Sequence, residues 1–389
     1  MMNESSHITQ RASSTERPKE PNVDIDADVP AADGFAVWDA QNAAQEAQWV
    51  ELWNSWSARE VFSHPRYVKL FCHPGDQALC ATWDGGEGKV LFPFILRDLS
   101  AEPYWEADLG PAYDLISPYG YGGAAFWDSP NPTRLASEFW KSFDAWAATR
   151  GLVAQFVRFS PFQDGLLAYP GEVCENRSVV LRDLRPPEHI IWGEFSRNIC
   201  YNIRKAQRAG VQVKTDSRGD MLAEFLGIYD HTMRRREADP AYYFPRQFFE
   251  RLQRDLPGQF IYFHALHGGR VLASELLLLS ANSVYSYLGG TDSEAFRLSP
   301  NHLLKFEIIR WAAAQGKQWF VLGGGYEPDD GIFHYKRGFA PHGTVSFRVG
   351  WRVHDKKACD RLVDGRRRYQ ERVGQCWLPR PNFFPPYRA

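Results

Sequence analysis

The stretch Ser299-Pro-Asn-His-Leu-Leu-Lys-Phe-Glu-Ile-Ile-Arg-Trp-Ala-Ala-Ala-Gln-Gly-Lys-Gln-Trp-Phe-Val-Leu322 decides the fold. Serine is a favoured helix cap, and Pro300 suits a first helical turn because its missing N–H would have no partner there. Leu304, Ile308, Trp311 and Ala312 recur at i, i+4, i+7 and i+8 and so share one helix face. Gly316 suits the helix exit. The apolar run Trp319–Leu322 then reads as a buried strand.

The same order stands earlier in the chain. Trp146-Ala-Ala-Thr-Arg-Gly151 leads into the apolar run Leu152–Val157, as Trp311-Ala-Ala-Ala-Gln-Gly316 leads into Trp319–Leu322. Ser129-Pro-Asn131 precedes the first helix, as Ser299-Pro-Asn301 precedes the second. Gly122-Gly123 lies upstream of one and Gly289-Gly290 upstream of the other. Cues repeated in one order, about 165 residues apart, predict a duplicated domain rather than a solenoid.

Around the second copy, Phe260–Leu266 and Val271–Leu279 read as strands flanking the turn His267-Gly-Gly-Arg270. Val284–Leu288 and Thr344–Val349 add two more, and helices are expected near 188–209, 219–236 and 245–255. The fold class is α+β (mixed α/β): two tandem domains, each a central, mostly antiparallel sheet flanked by helices. The expected units are a disordered polar tail over 1–33, a first domain over 34–186, a second, catalytic domain over 187–355, and a C-terminal helix and tail over 356–389.

Composition narrows the function. A chain of 389 residues with 44% hydrophobic and 15% aromatic content has ample core. A formal net charge of −2 gives no bulk attraction to polyanions, so DNA is not an expected partner. Cys72, Cys80, Cys174, Cys200, Cys359 and Cys376 form no C-x-x-C pair and no zinc spacing, so no metal is expected. With no apolar run near the roughly 18 residues of a membrane span and no signal-peptide core, a cytoplasmic protein without integral membrane association is expected.

The chemistry points to Leu322-Gly-Gly-Gly-Tyr-Glu-Pro-Asp-Asp-Gly-Ile-Phe-His-Tyr-Lys-Arg-Gly-Phe339. Glycines let a backbone or ligand approach closely, and Lys336 follows among Phe333, His334, Tyr335 and Phe339. Lys336 suits a fixed cation that stabilises an oxyanion. If the segment is extended, His334 and Lys336 face the same side. Asp329-Asp330-Gly331 reads as an ordinary turn. Arg204, Lys205 and Arg208, on a basic helix, are candidate phosphate contacts. Gly289, Gly290, Asn301, Gly324, Gly325 and Tyr326 are candidate substrate contacts around the two glycine-rich stretches.

Several motifs carry a family resemblance. Asn198-Ile-Cys-Tyr-Asn-Ile-Arg-Lys-Ala-Gln-Arg-Ala-Gly-Val211, Tyr287-Leu-Gly-Gly-Thr-Asp292, Ser299-Pro-Asn-His-Leu-Leu304, Phe333-His-Tyr-Lys-Arg-Gly-Phe339 and Gly110-Pro-Ala-Tyr-Asp114 are each similar to elements of the FemABX peptidyltransferases. These are tandem members of the GNAT acyltransferase superfamily. The resemblance spans roughly residues 40 to 350. It implies an N-acyltransferase with Lys336 at the transferred carbonyl, Tyr335 beside it and Asp114 near the acceptor. It further implies aminoacyl-tRNA as co-substrate, no permanently bound cofactor, and an amine acceptor on a peptidoglycan precursor or specialised metabolite. A CoA-dependent GNAT enzyme presents a glycine-rich loop whose N–H groups cradle pyrophosphate. Here that place reads Arg297-Leu-Ser-Pro-Asn-His302, and proline has no N–H to offer. An acyl-CoA-dependent acetyltransferase and a non-catalytic ligand-binding GNAT-fold protein are the alternatives.

Overall fold

Two five-stranded arrays with the same pairing scheme build the molecule. The computed structural model describes residues 34–106, 110–327, 329–381 and 383–389, so the expected tail over 1–33 lies outside the described residues. The strands are β1 (Phe35–Asp39), β2 (Gln77–Gly85), β3 (Gly88–Asp98), β4 (Tyr113–Ile116), β5 (Ala125–Trp127), β6 (Leu152–Arg158) and β7 (Glu172–Asp183). They continue with β8 (Gln212–Asp216), β9 (Phe260–His267), β10 (Arg270–Leu279), β11 (Ser283–Thr291), β12 (Trp319–Gly323) and β13 (Thr344–Val353). The helices are α1 (Ala43–Ser55), α2 (Pro65–Lys69), α3 (Pro132–Thr149), α4 (Glu188–Glu194) and α5 (Arg197–Arg208). They continue with α6 (Leu222–Arg235), α7 (Arg246–Asp255), α8 (Pro300–Ala314), α9 (Gly331–Arg337) and α10 (Lys356–Arg372).

The sheet runs β1-β2-β3-β4-β6-β13-β7-β12-β11-β10-β9-β8, with β5 on β3. In the first half β1 to β4 pair antiparallel, α3 crosses over, and β6 lies parallel to β4. In the second half β8 to β11 pair antiparallel, α8 crosses over, and β12 lies parallel to β11. The repeated helix-glycine-strand motif is thus the crossover unit of each half. Two strands are exchanged at the centre. Strand β13, from the end of the second half, pairs with β6, and β7, from the end of the first, pairs with β12. Strands β7 and β13 pair with each other and join the halves.

The parallel pairs differ where it matters. Beyond the ladder of β4 and β6, Gly122 bridges Phe159, and the Ser160 N–H donates to the Gly122 carbonyl at 2.8 Å. The first junction is therefore held together. Strands β11 and β12 pair only over Ser283–Tyr285 and Trp319–Val321, then part. Leu276 faces Leu288 and Leu277 faces Ser286, which leaves Tyr287 as the extra residue of a bulge. A gap opens there.

The helix over residues 300–314 buries Leu304, Ile308 and Ala312, as their spacing predicts, and Leu303 and Ile309 as well. They pack on Ile199, Ile203 and Ala206 of α5. On the other face, Phe225 and Tyr229 of α6 and Phe249 and Leu252 of α7 cover Tyr262, Leu276 and Leu278. Both faces of the sheet are thus covered, and burying a side chain of this size contributes about 2 kcal/mol. The single helix expected near 188–209 is two, parted at Phe195-Ser196, where Ser196 caps α5 through the Ile199 N–H.

Candidate active site

Where β11 leaves β12, a cavity of about 800 Å³ opens. Its walls are the end of β11, the start of α8, the segment from Gly324 into α9, the C-terminal turn of α6, and Tyr119 from the first half. Diverging strand ends are a common place for ligands in sheets with crossover helices.

Lys336 projects from α9 into this cavity, and its ammonium group is enclosed although the residue keeps some exposure. Its Nζ donates to the Gly324 carbonyl at 2.6 Å. Burial, then the nearby charge of Lys305, hold the amine at about 7, against the attraction of Glu275 and Asp330. A lysine poised there exchanges a proton near neutrality, which suits proton transfer as well as the charge stabilisation expected from the sequence. The glycines fix the contact. Gly323 has φ of +77°, which favours glycine, and a Cβ at Gly325 would lie 2.3 Å from Asp330 Oδ1.

Asp330 sets the start of α9. Its Oδ1 accepts from the Phe333 N–H at 2.7 Å, and its Oδ2 from the N–H groups of Tyr326 and Glu327 at 2.7 and 3.1 Å. Burial alone would raise its pKa, but these backbone donors outweigh it and hold the carboxyl below its ordinary range. The expected ordinary turn is therefore a helix cap. The segment Gly331–Arg337 is helical, not extended, so His334 does not share a face with Lys336. His334 is exposed and contacts Arg337.

A second lysine lies deeper. Lys305 on α8 and Glu275 on β10, each 4% exposed, form an ion pair, and Lys305 Nζ also bonds Ser286 Oγ at 2.8 Å. All three line the cavity beside Lys336. Sequence reasoning passed over this pair. The signals were present: a glutamate inside Leu272-Ala-Ser-Glu-Leu-Leu-Leu-Leu279, and a lysine between Leu304 and Phe306 on a buried helix. His302 was missed as well. Burial, then the charge of Lys205, lower its pKa to about 4, so it is neutral at pH 7, and its Nδ1 has no partner among the described residues.

The structure brings together Gly289, Gly290, Asn301, Gly324, Gly325, Tyr326, Tyr335 and Lys336, all on the cavity wall. Tyr335 is held neutral by burial, which pushes its phenol up, and it donates to the Asn301 carbonyl at 3.1 Å. Gly289 and Gly290 have packing reasons to be glycine: a Cβ at Gly290 would lie 2.2 Å from Thr232 Oγ1. Lys205 is not on the cavity wall, but its charge acts on His302. Arg204 and Arg208 line a separate surface depression, where Arg204 stacks on Trp192 at 5.3 Å. Asp114 is not on the cavity wall. It is fully buried between Arg97, whose Nε lies 2.6 Å away, and Arg388. Those cations already satisfy its carboxylate. Ser299 occupies the cap position of α8 with φ of +54°, but its hydroxyl donates to Asn202 Oδ1 at 2.8 Å rather than accepting from the helix.

On the opposite rim, Arg235 and Arg236 line the cavity without an ion pair among the described residues. Arg235 lies 5.0 Å over the Phe296 ring, and its Nε is buried without a partner among the described residues. No group of side chains among the described residues is arranged to hold a metal ion, and none of their helices is long and apolar enough to cross a membrane.

Solved structures share the fold. A solved structure titled as FemX matches with a TM-score of 0.58 and 12% identity, over 79% of this chain and 94% of its own. A conserved protein of unknown function from Bacteroides thetaiotaomicron matches with a TM-score of 0.51 and 10% identity, over 79% of this chain and 97% of its own. A tandem GNAT protein from the clavulanic acid biosynthesis pathway matches at a TM-score of 0.46 and 10% identity, over 82% of this chain and 99% of its own. No curated protein sequence matches. At these identities the first two likenesses establish the fold, mixed α/β with a mostly antiparallel sheet. The family model described as acetyltransferase (GNAT) domain matches residues 193–337, the span that holds α8, α9 and most of the cavity, and this part of the chain is a GNAT domain.

Proposed function

We propose that the chain is an N-acyltransferase whose reaction takes place in the cavity between β11 and β12. The observation that carries this reading is Lys336: an enclosed amine near pKa 7, on the wall of a cavity within the GNAT domain. An acceptor amine attacks the acyl carbonyl, and its C–N bond forms as the carbonyl π electrons move onto oxygen. Lys336 takes the proton that the attacking nitrogen must lose. The C–O bond to the leaving group then breaks, and the proton passes from Lys336 to that oxygen. A base with a pKa near the working pH suits this exchange. Tyr335 and the Lys305–Glu275 pair position and tune Lys336, while Asp114 anchors the C-terminal segment through Arg388.

The preferred donor is an aminoacyl-tRNA. The start of α8 offers little to a pyrophosphate: Pro300 has no N–H, and the His302 N–H already donates to the Ser299 carbonyl at 3.1 Å. The preferred acceptor carries both an amine and an anion, as a peptidoglycan precursor does, because Arg235 and Arg236 are unspent on the rim. The FemX-like fold agrees with that class. Incubating the protein with charged tRNA or with acetyl-CoA, each with a panel of amines, tests the donor by mass spectrometry of the products. Amide formation with charged tRNA is expected. Robust turnover with acetyl-CoA alone would overturn the donor assignment.

A further inference from the structure

A second cleft lies behind the reaction cavity. It encloses about 360 Å³, near the lower end of the range for small-molecule sites. The two share a wall of alternating tyrosines: Tyr119 and Tyr287 line the reaction cavity, while Tyr121 and Tyr285 line the second cleft. The duplication explains its place. Gly122-Gly123 and Ser160 line it at the junction of the first half, where Gly289-Gly290 and Gly324 line the reaction cavity in the second.

Its lining is aromatic with one carboxylate. Trp56 and Trp127 stack at 5.6 Å with planes 15° apart, and Phe62 packs edge-on to Tyr121 and Tyr285. Trp319 and Phe162 close another side, 5.9 Å apart. Glu60 accepts from the Tyr285 hydroxyl at 2.8 Å and has no ion pair among the described residues. Lys317, whose charge bears on it, gives its ammonium to the carbonyls of Ser280 and Ala281 at 2.6 and 3.0 Å. Arg59, a neighbour in sequence, stacks on Trp53 instead. Burial pushes the Glu60 carboxyl up to about 7 despite bonds from Ser280 and Tyr285, the state of a carboxylate that lacks a close countercharge.

We propose that this cleft, walled by Trp56, Phe62, Tyr121, Trp127, Tyr285 and Trp319 around Glu60, is a second ligand site that takes a small organic cation of alkylammonium type. Ring faces attract a cation, and a desolvated pair of this kind is strong. Glu60 supplies the opposite charge, and the rings cover the apolar body of the ligand. The site uses neither Lys336 nor the reaction cavity, so it stands independently of the acyl-transfer reading.

The test is titration of the full chain with 2-phenylethylammonium and with its neutral isostere 2-phenylethanol, followed by tryptophan fluorescence and calorimetry. The cation should bind saturably, about tenfold or more tighter than the alcohol, a difference of roughly 1.4 kcal/mol. Glu60→Gln should abolish that preference, Trp127→Leu should weaken both ligands, and Lys336→Met should leave binding unchanged. Equal affinity of cation and alcohol in the parent protein would overturn the proposal, as would a cation preference that survives Glu60→Gln or is lost in Lys336→Met.

Discussion

Lys336 holds its proton less tightly than a solvated lysine, with a pKa lowered to about 7 by burial and the charge of Lys305. Its amine is enclosed, faces a buried ammonium on Lys305, and has the charged partner of that ammonium, Glu275, nearby. The neighbours act in opposite directions, which gives a signed prediction. If Lys336 must be neutral to act, the rate at fixed acceptor rises with pH and levels off above about 7. Lys305→Met removes the repelling charge and leaves Glu275 unneutralised, so the midpoint should move up by about one pH unit, equivalent to roughly 1.4 kcal/mol. Glu275→Gln should move it down. Rate profiles of the three proteins with one acceptor check this; coincident midpoints would detach the pair from Lys336. At this scale the sequence was legible where chemistry leaves a local mark: a lysine among aromatics after three glycines. It was not legible where the partner is distant, since Glu275 and Lys305 meet only when β10 and α8 are packed.

At the scale of elements, α9 carries the site, and Asp330 starts it. Asp330→Ala removes an acceptor for backbone N–H groups on both sides of the turn, a loss of about 1 kcal/mol of cap stability. Because α9 aims Lys336, kcat/KM should fall about tenfold or more, through displacement of the amine rather than its removal. Asp330→Asn keeps an acceptor for the Phe333 N–H but sets an amide NH2 where Oδ2 accepts from Tyr326 and Glu327, so its loss should be intermediate; equal losses in both variants, measured by steady-state kinetics, would place the effect in the Tyr326 and Glu327 bonds rather than in the Phe333 cap. The crossover helix α8 and strand β12 were readable from periodicity because fifteen residues give several turns of pattern. The seven residues of α9 give too few, and Asp-Asp-Gly signals a turn as strongly as a cap. The break between α4 and α5 was hidden for a related reason: Phe195-Ser196 carries neither proline nor glycine.

Across the whole molecule, the duplication was legible and the exchange of strands was not, because a strand's sequence does not say which neighbour it will find. Strand β7 leaves the first half to complete the second, and β13 does the reverse. Chains cut between residues 186 and 187 should therefore be insoluble when made alone, each exposing an unpaired edge, and should be recovered as a complex when made together. Independent folding of both pieces, judged by cooperative thermal unfolding, would contradict this. The held first junction and the open second one place the cavity in the second half, with Tyr119 reaching its wall from the first. The most direct measurement of the central claim is amide formation from charged tRNA and an acceptor amine by the parent protein and by Lys336→Met, at pH values on either side of 7. The account predicts product from the parent protein with a rise through about pH 7, and a loss of about a hundredfold or more, without that rise, in the variant. Full activity with an unchanged profile in Lys336→Met would contradict it.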